Sequence, residues 1–224
     1  MPVGFDMRSF LRNHGLSLTM LGAFLLLFLI GQTYTGMKEY NDERNQAGES
    51  QIDFLAYLRS AHFVEATAEN WESEFLQMGV YILATAWLYQ KGSAESKDPR
   101  KVHQHHASRA VTPDSPWPAR RGGWVLRLYE HSLSLAFFGL FAVAFFLHAL
   151  GGQRLYNEER LREGESAYSL SDYLTSTRFW FESFQNWQSE FLAIGCMVVL
   201  SIFLREVNSP ESKQVHTPNW ENEE

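Results

Sequence analysis

Residues Ser132–Gln153, SLSLAFFGLFAVAFFLHALGGQ, contain no Lys, Arg, Asp or Glu and consist mainly of Phe, Leu, Ala and Gly. A stretch of about 18 or more apolar residues without charges is typical of a helix that crosses a membrane. A buried helix of a large soluble protein is the alternative interpretation. The stretch predicts an all-α integral membrane protein.

A second uncharged stretch, Leu16–Gly36 (LSLTMLGAFLLLFLIGQTYTG), lies near the N-terminus. It is longer than the apolar region of a signal peptide, which has about 7–15 residues, and no small-residue cleavage site follows it. A chain of 224 residues is too short to enclose two such helices within a soluble fold. We therefore expect retained spans at about 15–36 and 132–153.

A shorter apolar run follows each long one, at Phe75–Gln90 and Phe191–Leu204. As helices they measure about 24 and 21 Å, less than the hydrocarbon core of about 30 Å. Each helix must extend backward, through NWESE in one case and NWQSE in the other, to span the bilayer. We expect spans at about 71–90 and 187–204, and amphipathic helices lying on the membrane surface are the alternative.

The chain repeats itself at an offset of 116 residues. Residues 36–97 align with residues 152–213 without a gap, and about 24 of the 62 aligned pairs are identical. Because each half holds two spans, both halves enter the membrane in the same orientation, as tandem hairpins. The predicted organisation is a first hairpin at 1–97, a linker at 98–123, a second hairpin at 124–213 and a polar tail at 214–224.

The distribution of basic residues predicts the orientation. Twelve Lys and Arg residues lie in the two termini and the linker, against seven in the two long connections within the halves. By the positive-inside rule both termini and the linker are cytoplasmic. Apolar residues at helical spacing in Ile52–Phe63 and Leu170–Trp180 predict short helices in the outward connections, and plain solvated loops are the alternative. Two serine–aspartate pairs are candidate helix caps, Ser50-x-x-Asp53 and Ser169-x-x-Asp172.

Polar side chains at the outer ends of the predicted spans form a candidate site. A carboxylate at the edge of the hydrocarbon is costly to desolvate, so it is expected to be paired, protonated or in contact with water. The candidate polar cluster comprises Glu74, Glu190, Asn70, Asn186, His148 and Gln32. One interpretation is a site for protons, cations or a small ligand. The other is that the glutamates bond nearby backbone at the N-termini of their helices.

Composition excludes several functional classes. A net charge of −7 argues against nucleic-acid partners, which require clustered Lys and Arg. The single cysteine, Cys196, excludes an intramolecular disulfide and a zinc site built from several cysteines. His103, His105 and His106 resemble a metal-binding cluster, but a linker without periodicity rarely holds ligands in a fixed geometry. No catalytic, cofactor or metal site is predicted.

The paired N-W-[EQ]-S-E-F-L and S-x-E-S-K motifs, with Y-N-[DE]-E-R after the first span of each half, resemble a known family. Its members are uncharacterised multi-pass proteins of the bacterial inner membrane that share a domain of unknown function. The resemblance extends over roughly Phe10–Lys213, with Gln188 in the second copy where the first has Glu72. It implies a bacterial inner-membrane setting and supplies no activity.

Three functional classes follow from the sequence. The first is a structural or accessory protein that binds the lipid bilayer, other membrane proteins or a second copy of itself. The second is a small transporter or channel that handles protons, cations or a small ligand through Glu74 and Glu190. The third is a membrane enzyme, for which the sequence offers no identifiable nucleophile or metal set.

Overall fold

The computed structural model describes residues 6–97 and 111–222, and all regular secondary structure within them is helical. The predicted all-α class is therefore confirmed, while His103, His105 and His106 lie outside the described residues. A π-helical segment, Leu27–Tyr34, continues the first helix into the second. In chain order the α-helices are α1 (Met7–Leu26), α2 (Thr35–Gln46), α3 (Phe54–Tyr57), α4 (Ala61–Trp87), α5 (Trp117–Arg121), α6 (Gly123–Glu130), α7 (Ser132–Arg162), α8 (Leu170–Leu174) and α9 (Thr177–Phe203).

Three helices of the described chain are long and apolar enough to cross a membrane. They are Met7–Gln46, Ser132–Arg162 and Thr177–Phe203. These three contain the first, third and fourth of the predicted spans. The remaining predicted span lies on α4, which is long enough at 27 residues but carries four glutamates in its first half, at positions 65, 69, 72 and 74. Those carboxylates lower its apolar character.

The chain divides into two compact units, Met1–Glu65 and Ala66–Glu224, and α4 begins in the first and continues in the second. Each unit contains one of the two connections that were predicted to face outward. The connection in the first unit follows α2, and the connection in the second unit follows α7.

Identical asparagines hold the two connections in the same way. Asn41 donates from Nδ2 to the carbonyl of Ile52 at 3.0 Å and accepts from its N–H at 2.8 Å. Asn157 bonds the carbonyl and N–H of Tyr168 at 2.9 and 2.7 Å. Because one side chain satisfies both polar groups of a non-helical residue, the loop cannot slide along the helix that precedes it.

Arginines of the repeated motif brace the same loops. Arg44 donates from Nε to the carbonyl of Ser50 at 2.9 Å and pairs with the carboxylate of Glu49 at 2.7 Å. Arg160 makes the equivalent contacts in the second copy, at 2.7 and 2.6 Å. The shared letters Y-N-[DE]-E-R and G-E-S therefore build a loop brace in each unit.

The outer helices are much shorter than the predicted 52–63 and 170–180, and that prediction was wrong in extent. α3 and α8 are single helical turns, and the chain then breaks before each long helix. The break arises because Ser60 and Ser176 cap the following helices, accepting from the N–H groups three residues later at 3.1 and 3.3 Å. The last residues of each predicted helix belong to α4 or α9.

Capping of the short helices follows the prediction in one copy only. Ser169 and Asp172 form a complete capping box at the start of α8. In the first copy the cap is Asp53 rather than Ser50, and it accepts from the N–H of Ala56 at 2.8 Å.

Within the second unit, the described part of the predicted polar tail, residues 214–222, packs against the turn that follows α4. Asn222 is 6% exposed, and its Oδ1 accepts from the Tyr89 hydroxyl at 2.9 Å and the Gly92 N–H at 2.7 Å. Its Nδ2 donates to the carbonyls of Gln90, Ser93 and Ser96 at 3.0, 2.9 and 2.8 Å. The side-chain amide of Asn222 therefore holds the turn after α4 in place.

Replacing Asn222 by alanine is expected to lower the free energy of unfolding by about 1–3 kcal/mol, because buried polar groups lose their partners. Chemical denaturation in detergent measures the change, and hydrogen exchange over residues 89–96 should accelerate. Glu221→Ala is the matched control, since its side chain is exposed one residue away. Equal effects of the two substitutions would contradict the role given to the amide.

Glu95, in the turn that follows α4, makes the stability of the second unit depend on pH. Burial and the neighbouring Glu211 carboxylate raise the pKa of Glu95 above its ordinary 4.5, although a hydrogen bond from the Tyr81 hydroxyl opposes the shift. The folded state holds this proton more tightly than the unfolded state does. The group therefore contributes stability at low pH, and that contribution is lost as the pH rises through the raised pKa.

We expect Glu95→Gln, which mimics the protonated acid, to gain thermal stability relative to the unsubstituted protein as the pH rises from about 5 to about 8. Thermal unfolding in detergent across that range measures the difference. Glu206→Gln is the control, because Glu206 is an exposed glutamate of the second unit. A pH-independent difference for Glu95→Gln would contradict the assignment.

Candidate functional site

His148 lies within the most apolar helix of the protein. It is the only ionisable side chain between Ser132 and Gln153, and it is fully buried at 0% exposure. Ala149, Gly151 and Gly152 are buried beside it, and these small residues leave room for neighbouring elements to approach α7 closely. An imidazole in such surroundings requires polar partners.

Glu72 of α4 is the first partner of His148. Its Oε2 lies 2.7 Å from Nδ1 of His148, and its Oε1 accepts from the indole Nε1 of Trp187 at 2.9 Å. Glu72 is also 0% exposed. Because a carboxylate only accepts hydrogen bonds, the Nδ1 that faces it carries a proton.

Glu182 of α9 faces the other side of the imidazole. Its Oε2 lies 3.8 Å from Nε2 of His148, which is too long for a hydrogen bond. That oxygen accepts instead from the Tyr173 hydroxyl at 3.0 Å, and Oε1 accepts from Nε of Arg178 at 2.8 Å. Both carboxylate oxygens of Glu182 are therefore satisfied.

Arg178 connects α9 to α7. Its two terminal nitrogens donate to the two carboxylate oxygens of Glu159 at 2.6 and 3.2 Å, in the bidentate geometry that guanidinium groups favour. Arg178, Glu182 and Asn186 recur every four residues and so occupy one face of α9. We call Glu72, His148, Glu159, Arg178 and Glu182 the ionic cluster.

Aromatic rings surround the buried part of the ionic cluster. The ring of Phe179, which is 0% exposed, lies 4.9 Å from the imidazole of His148 between centroids. Phe145 and Tyr173 pack on Phe179 edge to face, at 5.3 and 5.5 Å. An apolar enclosure strengthens the charge–charge interactions inside it and raises the cost of breaking them.

The hydrogen bonds of the ionic cluster join α4, α7 and α9. Each of the three carboxylates accepts a hydrogen bond at both of its oxygens, from His148, Trp187, Tyr173 or Arg178. Such a network fixes the rotation of α4, α7 and α9 about their axes, because each side chain reaches its partner from one direction only.

A family profile described as a domain of unknown function, DUF6766, matches residues 7–224. The chain belongs to the DUF6766 family. This match confirms the predicted membership of a family without an assigned activity. No curated protein matches the chain, and no solved structure matches it.

The DUF6766 chain brings two of the predicted site residues into the same region. His148 is at the centre of the ionic cluster. Asn186 donates from Nδ2 to the carboxylate of Glu69 and, at 3.4 Å, to the carbonyl of Glu182. Both residues were predicted to take part in a polar cluster, and both have carboxylate or carbonyl partners there.

The other predicted residues are not members of the ionic cluster. Glu74 and Asn70 are exposed, and Asn70 donates to the carbonyl of Ala66 in its own helix. Glu190 is half-buried, and its backbone carbonyl accepts from Nε2 of Gln77 at 3.0 Å. Gln32 belongs to the first unit, in the π-helical segment.

Four members of the ionic cluster were not predicted from the sequence, namely Glu72, Glu159, Arg178 and Glu182. Three of them stand at positions where the two halves differ, Glu72 with Gln188, Glu182 with Ala66 and Arg178 with His62, whereas Glu159 aligns with the identical Glu43. The glutamates that were predicted for the site, Glu74 and Glu190, are identical in the two halves. For Glu72 and Glu182 the usable signal was a neutral residue at the aligned position of the other copy.

Proposed function

We propose that this DUF6766 protein is a four-span accessory protein of the bacterial inner membrane that binds other membrane proteins through its apolar helix faces. The most apolar windows of the three long helices are only 0%, 22% and 6% buried by the protein itself. Contiguous apolar surface of this kind is stable only against lipid or a partner. α4 is about 40 Å long as a helix, sufficient for a fourth span.

The proposed topology has two tandem hairpins in one orientation, with both termini and the 98–123 linker in the cytoplasm. Its support is the excess of basic residues on that side. A thiol label at Ser108→Cys, in a Cys196→Ala background, should react only from the cytoplasmic face of sealed vesicles. Labelling from the outer face would overturn the orientation.

The enclosure of the Glu72–His148 pair within the ionic cluster is the observation that favours a structural role over transport. Glu72 and His148 are both 0% exposed, and the carboxylates are saturated with hydrogen bonds. A transported ion or substrate needs a group that exchanges partners with water. We therefore assign the cluster the task of holding α4, α7 and α9 in a fixed arrangement that presents their outer faces.

Site-specific photo-crosslinking tests the partner-binding role. A benzoylphenylalanine at Val143 or Leu192, which are 60% and 65% exposed, should give adducts of one defined mass with a membrane protein or a second copy. Leu161 is the matched control, because it is equally exposed, at 61%, but lies beyond the predicted span on the same helix. Lipid adducts alone at both span positions would overturn the proposal.

A second candidate, proton or cation transport, rests on a buried polar stripe of α4. Ser73 and Gln77 are 3% and 7% exposed, and Tyr81, four residues further on, donates to the carboxylate of Glu95. The stripe runs from the region of Glu72 toward the end of the helix. Intramembrane polar residues often mark such pathways.

Ion flux in reconstituted vesicles separates the two candidates. Under the transport hypothesis, Glu72→Gln abolishes a flux of protons or cations that the unsubstituted protein supports. The pair Glu74→Gln and Glu190→Gln tests the pathway expected from the sequence. Absence of flux in the unsubstituted protein removes transport and leaves the accessory role.

A further inference from the structure

An open polar cavity lies beside the ionic cluster, within the second unit. Its volume is about 620 Å³, and seven side chains line it. They are Tyr156, Tyr168, Asp172, Thr175, Ser176, Thr177 and Arg178. The volume falls within the range of about 300–1,000 Å³ that is usual for small-molecule sites. We call it the outer cavity, because the proposed topology places it outside the membrane.

We propose that the outer cavity binds a neutral polyhydroxylated ligand, a carbohydrate, either as a free saccharide or as the headgroup of a glycolipid. The proposal is independent of the accessory role and uses the proposed topology only to say which side of the membrane supplies the ligand.

The walls of the cavity are rich in hydroxyl groups. Five of its seven side chains carry one, and a hydroxyl both donates and accepts hydrogen bonds. Within the described residues, the Tyr168 and Thr177 hydroxyls make no hydrogen bond to the protein. Asp172 adds a carboxylate, of which Oδ2 is engaged by Ser169 in the capping box. Alternating donors and acceptors of this kind match the hydroxyls of a sugar.

The charges around the cavity disfavour an ionic ligand. The guanidinium of Arg178 is neutralised by Glu159 and Glu182, so it has no spare charge for an anion. Asp172 would repel an anion further, while a cation would face Arg178. A neutral ligand meets neither penalty and still gains hydrogen bonds from these fixed groups.

The base of the cavity is rigid. Arg178 lies over the ring of Tyr156 at 4.9 Å, and Arg160 lies over the ring of Tyr168 at 4.2 Å. The two tyrosine rings meet edge to face at 5.5 Å between centroids. Groups that are already ordered lose little entropy when a ligand binds.

The other half of the chain provides an internal comparison. The loop braces are the same in both copies, yet the cavity residues differ between them. Tyr168, Asp172, Thr175, Thr177 and Arg178 align with Ile52, Ala56, Arg59, Ala61 and His62. Because Ile52 and Ala61 stand in the first copy where the second has Tyr168 and Thr177, the loop forms without those two hydroxyls. Their presence in the second copy is consistent with a task beyond folding.

Binding is tested with the full chain in phosphatidylcholine nanodiscs, which carry no sugar headgroup. The probes are maltose, lactose and chitobiose, examined by saturation-transfer NMR, and vesicles containing glucosyl diacylglycerol, examined by co-flotation. Saturation transfer to sugar ring protons is expected for a free saccharide. Flotation with the glycolipid alone identifies a headgroup as the ligand, and either result supports the proposal.

The test variant carries the first-copy residues, Tyr168→Ile with Thr177→Ala, and should weaken binding by about tenfold or more through lost hydrogen bonds. Its matched control changes the aligned positions of the first copy, Ile52→Val with Ala61→Ser, and should bind normally. Hydrogen exchange confirms that both variants are folded.

Two results would overturn the proposal. One is that folded protein engages none of the saccharides and does not float with the glycolipid. The other is that inorganic phosphate binds at the cavity and is lost in the test variant, which would show an anion site.

Discussion

Glu72→Ala is expected to destabilise the protein by about 3–5 kcal/mol, because it leaves the protonated Nδ1 of His148 buried without an acceptor. The indole N–H of Trp187 loses its partner in the same substitution. The imidazole of His148 is unable to reach water, since it is 0% exposed. Denaturant-induced unfolding in detergent, followed by far-UV circular dichroism, measures the loss.

The repeat supplies the control for this substitution. Gln188 aligns with Glu72 in the second copy and is exposed, so Gln188→Ala should change stability by no more than about 0.5 kcal/mol. The double variant Glu72→Leu with His148→Leu removes both members of the pair. It should lose less stability than the sum of the two single replacements. Additive losses would show that the two side chains do not interact.

Gly152→Ala is expected to cost about 1–3 kcal/mol through overpacking. A Cβ at this position would overlap the hydroxyl of Tyr173, which is 0% exposed and held by Glu182. The tyrosine is unable to withdraw without breaking that hydrogen bond. Thermal unfolding in detergent measures the effect, and residues near Tyr173 should exchange amide hydrogens faster.

Two further variants test the cause. Gly139→Ala lies on the same helix, where a Cβ meets nothing within 4 Å, and should be neutral or slightly stabilising. Tyr173→Phe removes the overlapping hydroxyl, so Gly152→Ala should cost less in that background. If Gly152→Ala lowers stability equally in the Tyr173→Phe background, overlap with the Tyr173 hydroxyl is not the cause. In the first unit, a Cβ at Gly36 would likewise overlap the hydroxyl of Tyr57. Gly36→Ala is therefore also expected to destabilise the protein.

Local pattern was sufficient to predict the helices. The uncharged run through Ser132–Gln153 lies within α7, and Leu16–Gly36 lies within the continuous helix Met7–Gln46. Apolar character and length are properties of consecutive residues, so they are readable before any packing is known. Helix boundaries were less accurate, because caps such as Ser60 and Ser176 end one helix and begin the next with single hydrogen bonds.

The residues that the two halves share hold the connections, and most of the ionic cluster is built from residues that they do not share. Residues identical in both halves, such as Asn41 and Asn157, make matching bonds within their own loops. Glu74 and Glu190 are also identical, yet Glu74 is exposed and neither belongs to the ionic cluster. Identity between the halves therefore marked groups that the shared loop geometry needs.

The sequence by itself determined the helical class and the family, because both are read from the pattern of residues along the chain. Only the tertiary structure decided that Glu72, His148 and Glu182 meet. Their positions are 76 and 34 residues apart, and no short-range spacing relates them. Side-chain packing over the whole interface decides which faces of two helices meet. Rotation of one helix about its axis would move its side chain away from the other two.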